Sequence, residues 1–149
     1  MIQHYNFSKM KNLILYFSIA SLLLSCQSTT VKKASPMEQC ILNVLMMDDS
    51  IGAVRNHACE TMTLETTIEN YVAGMGTANL TDCPAVFREA FKNHRVAWKN
   101  MIPLVAKYPD MRGEMHDLFD VIAEGEDAEE FEVLLKAIWD TWDEVEAAK

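Results

Sequence analysis

The chain has 149 residues, with 13 lysines and arginines against 22 aspartates and glutamates, a formal charge of −9. That length is ordinary for one compact domain plus a short extension, and the negative charge opposes binding to nucleic acid or to anionic lipid head groups. Half the residues are hydrophobic, enough to build a core.

At the N-terminus, Lys9 and Lys11 precede an apolar run from Leu13 to Leu24. A helix needs about 20 apolar residues to cross a bilayer, so this shorter run fits the hydrophobic region of a secretory signal peptide. Leu23-Leu24-Ser25-Cys26 follows directly. This stretch resembles the lipobox of bacterial lipoprotein precursors, although Leu24 is slightly larger than the residue usual there. The resemblance implies that the Cys26 thiol receives a diacylglyceryl group, that cleavage follows Ser25, and that the new amino group is acylated. Such chains give stable membrane anchoring. The alternatives are an uncleaved anchor or a plain signal peptide with a coincidental cysteine. Gln27 in place of aspartate resembles outer-membrane sorting in enterobacterial lipoproteins, which implies an outer-membrane lipoprotein facing the periplasm. Met10-Lys11-Asn12 also reads as a signal-peptide start, so Met1 and Met10 are both candidate initiators.

Two of the 13 basic residues and none of the 22 acidic ones precede Cys26, so the mature chain has 11 basic against 22 acidic residues, a formal −11. The lipid, not a basic patch, must then hold it to the membrane. Residues 27–35, QSTTVKKAS, lack a hydrophobic period and read as a flexible tether. The expected organisation is a signal peptide over 1–25, a lipidated tether over 26–35 and a helical domain over 36–149.

Ser35-Pro36-Met37-Glu38 combines an N-cap serine, a proline at the first helical position and a capping-box glutamate. The first helix then places Met37, Cys40, Ile41, Val44, Leu45, Ile51 and Val54 on one face, with a break expected near Asp48 to Gly52. A second helix carries Leu64, Ile68, Tyr71, Val72 and Met75 and ends at Gly74 or Gly76, where glycine accepts a left-handed cap. Asp82 is expected to cap a third, with Phe87, Phe91, His94, Trp98 and Met101 in one row and Pro103 kinking or ending it. Asp110 is expected to cap a fourth with Met111, Met115, Leu118, Phe119 and Ile122 inward. Asp127 and Glu130 start a fifth with Phe131, Leu134, Leu135, Ile138, Trp142 and Val145 inward. No alternating strand pattern competes, so the expected fold is all-α, a single small bundle of four or five helices.

Arg88, Lys92, Arg95 and Lys99 form a basic row flanking the apolar one, whereas Glu124 to Lys149 holds ten acidic and two basic residues. Packing of that acidic helix beside the basic row within the monomer is the expected arrangement. The alternative is an acidic face offered to a basic partner domain.

An oxidising envelope compartment permits disulfides. With antiparallel first and second helices, Cys40 and Cys83 fall at the same end of the bundle, while Cys59 lies roughly 20 Å away. A Cys40–Cys83 bridge with Cys59 unpaired is therefore favoured; a break at Gly52, or free thiols throughout, would leave other outcomes open.

Chemical motifs are scarce. His57-Ala58-Cys59-Glu60 does not place its ligands on one helical face, Asp48-Asp49-Ser50 is too short for a calcium loop, and Gly74-Met75-Gly76 lacks the third glycine and preceding strand of a dinucleotide loop. The methionines suit cuprous ions chemically, but several stand on core faces where methionine fills gaps. No cofactor or metal is expected beyond the covalent lipid on Cys26. His94 interrupts an apolar row; buried, it would be neutral and would need partners for both ring nitrogens, for which Tyr71 or an acidic side chain on another helix is suitable. The other reading makes His94, Trp98 and His116 a ligand or partner site. The row from Cys83 to Trp98 also resembles a pattern in small bacterial envelope proteins, a likeness that implies no activity.

The expected function is that of a lipid-anchored, non-catalytic module that binds another envelope protein. The alternative is a small ligand- or metal-binding carrier that uses the bundle interior near His94.

Overall fold

The structure, a computed structural model, describes residues 34–149. The expected signal peptide, Cys26 and all but the last two tether residues lie outside the described residues. The domain is all-helical, a bundle of α1 (Pro36–Ala58), α2 (Leu64–Met75), α3 (Ala85–Val105), α4 (Met115–Ala123) and α5 (Ala128–Ala147). Among the described residues no helix is long and apolar enough to cross a membrane.

The capping box that opens α1 is complete: Glu38 N–H donates to Ser35 Oγ at 3.2 Å and Ser35 N–H to Glu38 Oε2 at 2.6 Å. The helix then runs unbroken through Asp48 and Gly52 to Ala58. One interior glycine costs only about 1 kcal/mol, and Asp48 faces inward, where the Tyr71 hydroxyl donates to its Oδ1 at 2.8 Å. The expected break therefore has no cause. Met37 and Val54 are 54 % and 68 % exposed, not inward.

Helix α2 buries Leu64, Ile68, Tyr71, Val72 and Met75 as its spacing predicts. It ends at Gly76 without a left-handed residue, since φ is −66°. Close approach explains this glycine: a Cβ would lie 2.7 Å from Arg95 Nη2. Arg95 Nε donates to the Val72 carbonyl at 2.9 Å, which also accepts from the Gly76 N–H at 3.2 Å, so a side chain from α3 adds a second bond at the last turn of α2.

Helix α3 packs against both α2 and α5 and buries Phe87, Phe91, His94, Trp98, Met101 and Leu104. Asp82 does not cap it: Pro84 occupies the N-cap, with no side-chain cap bond. Pro103 does not stop it before Val105. Asp110 does not cap α4 either. Glu114 takes that position and accepts from His116 N–H at 2.8 Å, leaving Met111 outside the helix. Asp127 sits at the N-cap of α5, but its carboxylate accepts from Lys107 Nζ and the Tyr108 hydroxyl, both at 2.8 Å. It ties the end of α3 to the start of α5 instead of capping its own helix.

Cys40 and Cys83 are joined as a disulfide, with Cα atoms 5.2 Å apart, and Cys59 is a buried free thiol. The bridge links the first turns of α1 to the segment entering α3.

The basic row does not pair with the acidic α5. Arg88 donates to the Cys83 carbonyl and Arg95 to that of Val72, while Lys92 and Lys99 are exposed. Among the described residues, ion pairs of α5 with lysines involve Lys107, Lys136 and Lys149 only. One residue is about 100° of helical rotation; α3 meets α5 through His94 and its apolar neighbours, so the adjacent positions turn aside.

Candidate ligand cleft

Four helices converge on one cleft of about 520 Å³. Asp48 and Arg55 reach it from α1, Tyr71 from α2, His94 and Trp98 from α3, and Trp139 and Trp142 from α5. All three tryptophans of the chain line it.

Trp98 holds the aromatic centre. Its ring meets Tyr71 edge-on at 5.2 Å between centroids. The Arg55 guanidinium lies 4.3 Å from the Tyr71 centroid and 4.2 Å from that of Trp98, within cation–π range. Asn56 Oδ1 accepts from Arg55 Nε at 3.2 Å and Nη2 at 2.9 Å. The guanidinium is thus fixed in orientation. Burial lowers its pKa from the usual arginine value; burial likewise raises the carboxyl of Asp48, which is 6 % exposed, and the phenol of Tyr71. Among the described residues Asp48 and Arg55 do not form an ion pair with one another.

His94 is 3 % exposed, and both its ring nitrogens are engaged. Trp98 Nε1–H, which can only donate, lies 3.2 Å from His94 Nε2. Nε2 must therefore be the acceptor and Nδ1 must carry the proton. Nδ1–H donates to Thr141 Oγ1 at 3.1 Å, and the Thr141 hydroxyl in turn donates to the Ala137 carbonyl at 2.8 Å. Burial disfavours the imidazolium and pushes the His94 pKa down to about 4. The ring is neutral at pH 7, and its lone pair is occupied by an indole N–H, so it has none free for a substrate proton or a metal ion. Its work is to lock α3 against α5. The partners anticipated for it, Tyr71 or an acidic side chain, are not the ones it has; Tyr71 is committed to Asp48.

His94 and Trp98 are thus brought together, whereas His116 is not part of the cleft. It is exposed on α4, with Nδ1 2.9 Å from Glu114 Oε1. Cys59 is fully buried, with its thiol pKa raised by desolvation, which keeps it protonated and unreactive. No group of three or more His, Cys, Asp or Glu side chains among the described residues is placed to hold a metal. Sequence reasoning missed Asp48, Arg55, Trp139 and Thr141 as part of this cluster. For Asp48 a signal existed: it continues the Cys40–Val44 row at helical spacing, as His94 interrupts that of α3.

No protein-family model, curated protein or solved structure matches the chain.

Proposed function

We propose that this chain is a lipid-anchored, non-catalytic protein of the bacterial envelope, held to the outer membrane through Cys26 and facing the periplasm. Its helical domain is a binding module for another envelope protein. The observation that carries the reading is the cleft: charged and aromatic side chains gather on one face of a disulfide-tied bundle, while the one histidine there has both nitrogens engaged. That arrangement supports a holding role for the site. The formal −11 of the mature chain disfavours nucleic acid as the partner.

The same cleft favours a second reading, a carrier of a small ligand, since its size suits a small molecule and it combines aromatic walls with a few polar groups.

Cross-linked affinity capture from native envelopes tests the first reading, with Cys26→Ser to remove the anchor and Trp139→Ala to alter the rim of the cleft. A saturable partner that requires both residues is the expected result. Capture indifferent to both contradicts it.

A further inference from the structure

Asp48 and Arg55 line the same cleft, and among the described residues neither is in direct ion-pair contact with the other. Withdrawing a charge from water is costly unless it is paired or well hydrogen-bonded, yet here a cation and an anion from positions two turns apart on α1 both reach Tyr71 and are each only partly satisfied. Arg55 uses Nε and Nη2 on Asn56, and no hydrogen bond engages its Nη1 among the described residues. Asp48 accepts from Tyr71 through Oδ1, and Oδ2 has no hydrogen bond among the described residues. Thr67 Oγ1 is the one buried side-chain nitrogen or oxygen left without a partner there, so Arg55 Nη1 and Asp48 Oδ2 retain access to solvent. Both residues open on the cleft that Trp139, 57 % exposed, and Trp142 wall on the α5 side.

Resting on the carrier reading above, we propose that this cleft takes a small zwitterion, a free amino acid or a short peptide, with its carboxylate on Arg55, its ammonium on Asp48 and its apolar body against Trp139 and Trp142. A simple anion would face the carboxylates of Asp48 and Asp49 in the same cleft, where Glu146 is paired with Lys149, and a simple cation would face Arg55 and Lys149. A neutral sugar would use the tryptophans but would leave both charges uncompensated. A ligand carrying both signs pairs each with its opposite by charge-assisted hydrogen bonds.

Because every tryptophan of the chain lines the cleft, tryptophan emission, excited selectively over tyrosine, reports its occupancy without background from tryptophans elsewhere. The experiment titrates the full chain, in detergent micelles, with L-leucine and with trialanine, and in parallel with N-acetyl-trialanine, trialanine amide and the two correspondingly blocked leucines. The expected result is a saturable emission change with at least one free zwitterion at a Kd of about 1 mM or below, weakened at least tenfold by blocking either terminus. Saturation by leucine alone identifies an amino-acid ligand, and saturation by trialanine alone a peptide; both support the assignment. Trp139→Ala, a surface change that leaves the core intact, should weaken the same titration at least tenfold, and Asp48→Asn should abolish the preference for the free ammonium. No saturable change up to ~10 mM, or equal binding of free and blocked forms, overturns it. A flat titration together with Trp139-dependent capture of an envelope protein overturns this assignment alone and leaves the binding-module reading standing.

Discussion

Trp98 Nε1 donates to His94 Nε2 at 3.2 Å, and that one bond fixes the histidine tautomer, its neutrality and its role. It also sets a test. Trp98→Phe keeps an aromatic ring but leaves Nε2 buried without a donor, and Thr141→Val removes the acceptor for Nδ1–H. An orphaned buried polar group costs about 1 to 3 kcal/mol, so each substitution should destabilise the domain by that amount in urea unfolding. The double variant should show non-additivity, since both partners serve one ring.

Stability should fall in mild acid because of His94. Its pKa is about 4 in the folded chain against about 6.5 when unfolded. Between those values the unfolded chain binds a proton that the folded chain refuses, so this contribution is fully present above pH 6.5 and is lost as pH falls toward 4. The span corresponds to roughly 3 kcal/mol. Asp48 acts in the opposite sense: burial raises its carboxyl, so its contribution is present below the unfolded carboxyl value and is lost as pH rises through the folded one. The comparison that isolates His94 is wild type against His94→Gln, in which the loss of stability between pH 6.5 and 4 should shrink. An unchanged slope contradicts the neutral buried ring.

The disulfide closes a loop with a sequence separation of 43. The chain-entropy model gives about 4 kcal/mol for such a loop, with measured values often lower. Reduction, or Cys40→Ser with Cys83→Ser, should lower the unfolding free energy by up to that amount, and peptide mapping of the unreduced chain should recover the Cys40–Cys83 pair with Cys59 free.

Gly52 offers a change of opposite sign. It lies inside α1, and a Cβ there would meet nothing within 4 Å. Gly52→Ala should stabilise the domain by about 0.5 to 1 kcal/mol through helix propensity, read as a raised urea midpoint. A lowered midpoint would mean that α1 does bend there.

The sequence made the helices legible through their apolar rows, because burial of one stripe dominates the energetics of an amphipathic helix. Helix starts were legible only where local chemistry stood alone. The Ser35 box forms as read, whereas Asp127 is drawn away by Lys107 and Tyr108, about twenty positions upstream. Arg95 packs against the end of α2, a contact that no local rule connects to Gly76. His94 was legible as a buried histidine in need of partners, but Thr141 is 47 positions away, and no periodicity within α3 points to it. Arg55 reads as an ordinary polar position of a surface helix, whereas Asp48 continues the buried Cys40–Val44 row without naming its partner. Only the placement of Tyr71 and Trp98 over them turns that face into a cleft.

The central claim, that the helical domain works as a membrane-tethered module, is tested most directly by the intact mass of the full-length protein extracted from bacterial envelopes. A mature chain beginning at Cys26, carrying the added mass of a diacylglyceryl group and an amide-linked acyl chain, and absent from the Cys26→Ser variant, is the predicted result. A chain that retains residues 1–25, or one cleaved elsewhere without added lipid mass, would contradict it.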